Sequence, residues 1–202
     1  MRCFAALSVL LLATTLLAPP SLRSRSTVQS SEVIGQKISI PGVPNAGKVT
    51  DHLYRGAQPS LNNLGELKKL GVTTIIDLRA ESSHTALEEQ TRAEALGMRF
   101  IRVPISSFST PSNAELLRYF EILRDAPDQT VFVHCEFGRD RTGVMIAAYR
   151  IAFQKWSAEH ALNEMNSFGF HHRWHPSMMT YVRTLATRIE SDPGLKKSVE
   201  TE

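Results

Sequence analysis

The sequence predicts an α/β domain whose mostly parallel central sheet is covered by helices on both faces. Short apolar runs rich in β-branched residues, such as 72–78 and 131–133, alternate with longer segments that carry apolar residues at helical spacing. This alternation favours parallel strands joined by crossover helices. Sheets of this kind bind ligands at the carboxyl ends of their strands. The run from residue 131 ends in Cys135 before a loop and a helix, so we expect a site there.

The strands are predicted from β-branched and apolar runs bounded by turn signals. The run 72–78 is the strongest, with Val, Thr, Thr, Ile and Ile in succession. Its length suits a strand that is buried on both faces. The predicted strands cover residues 37–40, 48–54, 72–78, 98–105 and 131–135.

The helices are predicted from apolar residues at three- and four-residue spacing, together with start signals. Ser60, Ser112 and Ser157 are predicted N-caps, and Ser112 forms a capping box with Glu115. Pro176 suits the first turn of the last helix. The predicted helices cover residues 61–70, 84–96, 113–125, 144–154, 158–167 and 176–190.

The first 26 residues are predicted to be an export signal. Arg2 precedes an apolar segment, residues 4–18, that is short for a membrane-spanning helix. The alternative is an uncleaved membrane anchor. We therefore expect a periplasmic or secreted protein, or one anchored by this segment. The remaining chain is expected to form a linker at 27–47, a domain at 48–192 and a flexible tail at 193–202.

Loss of the export signal would change the charge and the cysteine content. The chain has 23 Lys and Arg against 20 Asp and Glu, and three of the basic residues, Arg2, Arg23 and Arg25, lie in the signal. The rest of the chain has equal numbers of basic and acidic residues, which gives no support for a nucleic-acid partner. We expect a monomer that does not bind nucleic acid. Cys3 would leave with the signal, so Cys135 would remain as a lone free thiol.

The stretch 131–143 has the chemistry of a nucleophile beneath a bound phosphate. Backbone N–H groups that curl into a helix N-terminus form an anion site, because unpaired donors and the helix dipole both favour negative charge. Arg141 adds a guanidinium that can bind two phosphoryl oxygens. The same positive groups favour the thiolate of Cys135, the nucleophilic form of cysteine. Gly138 gives the backbone freedom that a tight loop needs.

The loop resembles the HCxxGxxRTG signature of the cysteine-dependent phosphatases, the tyrosine and dual-specificity superfamily, with matches at His134, Cys135, Gly138, Arg141, Thr142 and Gly143. The resemblance implies that Cys135 is the nucleophile, that His134 orders the loop, and that Thr142 hydrogen-bonds the cysteine sulfur. It implies no metal and no cofactor. The substrate phosphate would be bound by Glu136, Phe137, Gly138, Arg139, Asp140 and Arg141. A rhodanese-like sulfur-transfer loop and a cysteine that only packs at a strand end are the alternatives.

Residues 54–60, Tyr-Arg-Gly-Ala-Gln-Pro-Ser, resemble a segment near the start of bacterial and fungal dual-specificity-like phosphatases. This likeness places the start of the domain near residue 48. Arg55 either supports the site by reaching the substrate or lies exposed in a turn. Asp77 belongs to an Ile-Asp-Leu-Arg pattern that recurs in the superfamily as scaffold, so we expect a structural role for it.

The proton donor for the leaving oxygen is missing from its usual place. In most of these phosphatases a loop aspartate before the signature supplies the proton, but residues 105–112 include no Asp or Glu. Asp140 is our candidate general acid, because an Asp at the similar position is found in myotubularin-like lipid phosphatases and in some bacterial phosphatases of triple specificity. The alternative is that Asp140 only pairs with Arg139 or Arg141.

The loop suits a substrate with a single phosphate. Members of the superfamily that bind several phosphates often carry two basic residues in the loop, whereas Arg139 here stands beside Glu136 and Asp140. We expect phosphotyrosine or a similar ester, and Asp140 keeps a phospholipid or inositol phosphate as the alternative. A non-catalytic module that only binds phosphate is the hypothesis from another class, and the missing loop acid favours it.

Three histidines, His171, His172 and His175, surround Trp174 and raise the question of a metal site. Their spacing fits no common ligand template, and a cysteine or carboxylate partner is missing from the pattern. We interpret the segment as a loop that packs beside the helix after Cys135, and we expect no metal.

Overall fold

The computed structural model describes residues 34–80, 83–125 and 128–200, and these form a six-stranded sheet between two layers of helices. The strands lie in the order β1-β2-β3-β6-β4-β5. Strands β3, β6, β4 and β5 are mutually parallel, and β1 and β2 add an antiparallel edge. The predicted fold class is confirmed. The strands are β1 (Gln36–Lys37), β2 (Gly47–Lys48), β3 (Leu53–Ala57), β4 (Val72–Arg79), β5 (Arg99–Ile105) and β6 (Thr130–Cys135).

The helices begin close to where the start signals placed them. Ser112 and Glu115 form the predicted capping box, and the Ser157 hydroxyl accepts the N–H of His160. Ser60 makes no cap bond, and a short 3-10 turn (Leu61–Asn63) precedes the first helix instead. The helices are α1 (Leu64–Lys69), α2 (Ser83–Ala95), α3 (Asn113–Arg124), α4 (Asp140–Gln154), α5 (Ala158–Ser167), α6 (Pro176–Ser191) and α7 (Pro193–Val199).

The central strand β6 is buried on both faces. Val131, Val133 and Cys135 face the core that the sheet forms with α3 to α7. Phe132 points to the opposite core, which α1 and α2 cover, and stacks on His134 with ring centroids 5.7 Å apart. Successive side chains of a strand point to opposite faces, so β6 sends its cysteine to one layer and its histidine to the other.

The start of the domain differs from the prediction. The expected strand 48–54 is divided into β2 and β3, because the N–H groups of Val49 and Thr50 both bond the carbonyl of Leu53 and close a turn. The expected linker 27–47 is also wrong over its described part. Ile40, Val43 and Ala46 are buried in the core beside α1, so the folded unit includes them.

The end of the domain also differs, because the expected flexible tail 193–202 contains helix α7. The side chain of Asp192 accepts the N–H groups of Gly194 and Leu195 and caps this helix. Leu195 is 1% exposed and packs into the core. A capped turn with one buried leucine is enough to dock the segment.

The predicted export signal and its alternative as an anchor lie outside the described residues. Within the described ranges, none of the helices combines the length and the apolar character that crossing a membrane requires.

Candidate active site

The loop between β6 and α4 forms the floor of a cavity of about 580 Å³. Cys135 ends β6, is 3% exposed and carries a free thiol. Helix α4 begins at Asp140 and not at the predicted residue 144, because the N–H of Gly143 already bonds the carbonyl of Arg139 at 3.0 Å. The first turn of α4 therefore carries Asp140 and Arg141 into the cavity wall. All of the predicted phosphate-binding residues except Gly138 line this cavity.

Gly138 fixes the shape of the loop. Its φ is +66°, a left-handed conformation that favours glycine. A Cβ at this position would lie 2.3 Å from the carbonyl carbon of Gly56 and 2.4 Å from the nitrogen of Ala57. Its carbonyl accepts hydrogen bonds from Arg55 at 2.9 Å and from Asn45 at 3.0 Å. The loop is thus held against β3 by backbone contact and by two side chains.

Arg55 supports the loop from the interior of the protein. It is fully buried, does not line the cavity, and stacks over the ring of Phe168 at 4.0 Å. Burial lowers its pKa to about 10, although the charges of Glu164 and Cys135 act in the opposite direction. Both interpretations from the sequence, substrate contact and an exposed turn, are therefore wrong. The residue is a supporting one through its bond to the Gly138 carbonyl.

His134 lies behind the loop at the end of a buried polar chain. Its Nδ1 is 3.3 Å from the carbonyl oxygen of Cys135, and its Nε2 is 3.0 Å from Glu89 Oε1. Glu89 in turn accepts from Arg79 at 2.7 Å, and Arg79 bonds both carboxylate oxygens of Asp77. This chain links the strand of Cys135 to β4 and α2, and it gives Asp77 a structural place, in agreement with the prediction.

The pKa of Asp77 reflects this arrangement. Burial acts to raise it, but the hydrogen bonds and charge of Arg79, together with the charge of His134, lower it below the ordinary value. The carboxylate is therefore ionised and held in the scaffold, away from the cavity lining.

Arg141 and Thr142 occupy the first turn of α4. Arg141 is 6% exposed and donates from Nη1 to the carbonyl of Ile105 at 3.1 Å, which anchors the guanidinium in the lining that it shares with Cys135. The hydroxyl of Thr142 is fully buried and has no hydrogen-bond partner in the described part of the chain. The predicted bond from Thr142 to the sulfur is therefore not formed in this structure.

Asp140 lies between the signature loop and the segment 171–175. Its Oδ1 accepts the backbone N–H of His171 at 2.9 Å. Its Oδ2 lies 3.6 Å from His171 Nδ1 and 3.7 Å from His175 Nε2. Arg139 reaches the same segment, with Nη1 3.1 Å from His171 Nε2. The described contacts of Asp140 are thus with imidazoles and a backbone N–H, an arrangement that the sequence did not predict.

The segment 171–175 packs beside α4, as interpreted, but it also forms a wall of the cavity. His171, Trp174 and His175 line it, whereas His172 is exposed outside it. Among the described residues, no group of three or more His, Cys, Asp or Glu side chains could hold a metal ion. Sequence reasoning missed this wall, and the unusual density of histidine around a tryptophan was its only signal.

Three exposed aromatic side chains form the rim of the cavity. Phe108, Phe137 and Trp174 are 73%, 59% and 75% exposed. Phe108 comes from the loop that lacks an acid, which turns at Ser106 and brings its ring to 5.6 Å from that of His175. Exposed apolar side chains that cluster around one opening are typical of a binding site, whereas apolar side chains scattered singly over a surface are not.

The fold and the cavity together define the class of protein: the chain has the fold and the signature loop of the cysteine-dependent phosphatases of the dual-specificity type. Comparison with known proteins agrees with this class. The chain belongs to the family described as DSP-PTPase phosphatase fused to NAD+ kinase, whose sequence pattern matches residues 43–179.

Two comparisons with one protein illustrate the similarity. The dual specificity protein phosphatase TpbA of Pseudomonas aeruginosa is 28% identical over 136 residues, which cover 62% of this chain and 55% of TpbA. The chain thus spans about half the length of this curated relative. The crystal structure of TpbA superposes with a TM-score of 0.65 at 26% identity, over 84% of this chain and 98% of the solved chain.

Two further solved structures share the fold. TpbA in complex with pTyr has a TM-score of 0.64 at 24% identity, over 81% of this chain and 99% of that one. The catalytic core of the PP-IP phosphatase SIW14 from S. cerevisiae, in complex with citrate, has a TM-score of 0.64 at 23% identity, over 81% and 98% of the two chains.

Proposed function

We propose that the protein hydrolyses phosphate monoesters through a phosphocysteine intermediate on Cys135. The observation that carries this proposal is the position of the free thiol on the cavity floor, at the N-terminus of a 15-residue helix and beside the anchored guanidinium of Arg141. A helix N-terminus and an arginine bind a phosphoryl group and favour the thiolate at the same time. Membership of the phosphatase family supports the same reaction.

The mechanism has two steps. The Cys135 thiolate attacks phosphorus while the loop amides and Arg141 stabilise the charge on the phosphoryl oxygens. The departing oxygen takes a proton, and we place its source at Asp140 together with the side chains around it, because residues 105–112 include no acid. Water then hydrolyses the phosphocysteine. The hydroxyl of Thr142, which has no partner among the described residues, is available to the sulfur as it leaves. No step in this scheme requires a metal or a cofactor.

The preferred substrate is an ester of one phosphate with an aromatic body, such as phosphotyrosine. Arg139 and Arg141 are offset by Glu136 and Asp140 in the lining, which disfavours ligands with many phosphates. The exposed rings of Phe108, Phe137 and Trp174 can pack against an aryl group. A phospholipid is the second candidate, because the same apolar rim would contact acyl chains at a lipid surface.

The setting of the reaction follows from the N-terminal sequence. Residues 1–26 support export, so the proposed substrate is outside the cytoplasm, and an uncleaved segment would hold the enzyme at a membrane. The charge balance beyond this segment supports neither a nucleic-acid partner nor a polyanionic one. We propose that the enzyme acts as a monomer.

The test is phosphate release at pH 5 to 7 from an aryl phosphate, a phosphotyrosyl peptide and a phosphoinositide, without metal and with reductant. The full chain and its Cys135→Ser variant are compared. Metal-independent turnover that is lost in the variant supports the proposal, and the ranking of the three substrates separates the protein and lipid candidates. Phosphate binding by both proteins without any turnover would instead identify a non-catalytic binding module.

A further inference from the structure

We propose that His175 carries the proton that the leaving oxygen receives, with Asp140 holding its imidazole in place. This inference rests on the proposed phosphatase function and refines the role of Asp140 in it. The loop that supplies an aspartate in most relatives of this class has none here. The cavity therefore needs another donor, and the segment 171–175 brings two imidazoles to Asp140.

The contacts of Asp140 suit an ionised carboxylate. Its Oδ1 accepts a backbone N–H at 2.9 Å, and its Oδ2 faces two ring nitrogens at 3.6 and 3.7 Å. Donors that point at a carboxylate favour its charged form. Such a carboxylate accepts hydrogen bonds and orients the neighbouring imidazoles, so we place the proton to be transferred on one of these rings.

His171 is not that ring. Its Nε2 lies 3.1 Å from Nη1 of Arg139. A guanidinium can only donate hydrogen bonds, so Nε2 of His171 must be the acceptor and carries no proton. The single proton of the neutral ring then lies on Nδ1, the nitrogen that faces Asp140. Both ring nitrogens of His171 are thus engaged, and the residue connects Arg139 to Asp140.

His175 has the position that a proton donor needs. It lines the same cavity as Cys135, is 8% exposed, and has its Nε2 3.7 Å from Asp140 Oδ2. The rings of Phe108 and Phe170 pack against it at 5.6 and 6.4 Å, and neither is charged. Histidine ordinarily changes charge between about pH 5 and 8, which suits an acid that must reload each cycle. Asp140 is the charged group that approaches its ring directly, and the other charged or titratable groups in the shared lining are Cys135, Glu136, Arg139, Arg141 and His171.

The proton balance closes over one turnover. As the S–P bond forms and the P–O bond to the leaving group breaks, the His175 imidazolium gives its proton to the departing oxygen and becomes neutral. Water then attacks the phosphocysteine, the P–S bond breaks, and the neutral imidazole takes the proton that water loses. Inorganic phosphate, the Cys135 thiolate and the His175 imidazolium are restored. Asp140 stays ionised throughout.

The test compares leaving groups of different basicity in the full chain. A phenol, with a pKa of about 10 as in tyrosine, needs protonation as it leaves, whereas dinitrophenol leaves without it. His175→Gln should lower kcat/KM for phenyl phosphate by about 10²-fold, within the usual range for acid catalysis. Its activity on 2,4-dinitrophenyl phosphate should stay close to that of the wild type, which also shows that the variant is folded. His172→Gln is the matched control from the same segment, because His172 is exposed outside the cavity.

A second variant and a pH profile distinguish a role of His175 in proton transfer from a role in packing. Asp140→Asn should show the same selective loss, and the double variant should lose little more, because the two residues act as one unit. The fall of kcat for phenyl phosphate toward high pH should disappear in His175→Gln.

Three results would overturn the inference. Equal losses on both esters would give His175 a packing role only. No loss in His175→Gln alongside a selective loss in Asp140→Asn would make Asp140 the sole donor. An unchanged pH profile in His175→Gln would exclude the imidazole. Each of these leaves the proposed function intact as long as Cys135→Ser abolishes turnover, whereas a wild-type chain that hydrolyses neither ester would refute both proposals.

Discussion

Replacement of Gly138 by alanine tests whether the loop between β6 and α4 is held as closely against β3 as the structure shows. The new Cβ would lie 2.3, 2.4 and 2.5 Å from backbone atoms of Gly56 and Ala57. Real Cβ atoms are not found at such distances from backbone, and β3 cannot retreat because it pairs with β6 along its length. The φ of +66° adds a second penalty that is independent of the clash.

The expected loss of stability can be worked from these two penalties. For a residue with a Cβ, the left-handed conformation costs about 1–2 kcal/mol. Forcing an extra methyl group into a packed site costs about 1–3 kcal/mol. Together they predict that Gly138→Ala lowers the free energy of unfolding by about 2–5 kcal/mol. In a domain of 150–250 residues each kcal/mol moves Tm by about 2–4 °C.

The assay is urea unfolding and thermal unfolding of three glycine variants. Gly71 has φ +83°, and apart from its chain neighbours no described residue has an atom within 4 Å of the point that an added Cβ would occupy, so Gly71→Ala should show the conformational cost alone. Gly65, in α1, has no positive φ, and outside its own helix no described residue has an atom within 4 Å of an added Cβ, so Gly65→Ala should be stabilising by about 1 kcal/mol. A Gly138→Ala variant that is no less stable than Gly71→Ala would refute the close approach of the loop to β3.

Three further changes test the buried ion pairs and the last helix. Glu164→Ala should cost about 3–5 kcal/mol in urea, because Arg150 would lose a buried partner bonded at 2.7 and 2.9 Å. Asp77→Asn should be less stable than the wild type at neutral pH, and the difference should shrink as the pH falls below 3.8. Although burial opposes it, Arg79 holds the folded pKa of Asp77 below that value, so the unfolded state binds more protons there. Leu195→Ala should cost about 2–5 kcal/mol by calorimetry, since the leucine is 1% exposed.

Matched controls exist for two of these changes. Glu159 pairs with Arg183 at 3.0 Å on the surface, so Glu159→Ala should cost less than about 1 kcal/mol. Lys197 lies exposed on α7, and Lys197→Ala should change stability by less than about 0.5 kcal/mol. Similar losses in each variant and its control would contradict the role given to burial. For Asp77→Asn, a pH dependence identical to that of the wild type would contradict the assigned pKa shift.

The sheet could be predicted because its strands carry local signals. The run 72–78 is β-branched and became β4, and the capping box at Ser112 marked the start of α3. The boundaries that failed depend on partners far along the chain. The division of 48–54 into two strands follows from a turn that pairs β2 with β3, and α7 forms because Leu195 packs into a core built by earlier helices.

The residues of the site also divide into those that local sequence could predict and those that depend on partners far along the chain. The signature residues around Cys135 are contiguous, so the sequence could predict that they share one loop, and most of them line one cavity. Arg55 could not be placed, because its partner is a carbonyl 83 residues away that only the folded loop brings near. The approach of His175 to Asp140 could not be predicted either, since it depends on how the turn after α5 packs on α4. Long-range contacts between polar groups leave no periodic trace in a sequence.

Strand β6 lies in the middle of the sheet, so the surroundings of Cys135 stay folded for as long as the sheet as a whole does. Its backbone is bonded to β3 on one side and to β4 on the other, and the first of these pairings joins Leu53 to Val131. Amide protons in such a strand exchange with solvent only when the sheet itself opens. Deuterium should therefore enter residues 131–135 as slowly as it enters any part of the protein. A pairing so distant along the chain slows folding, and the loop after Cys135 rests on β3 through Gly138, so the cavity needs this pairing to take its shape.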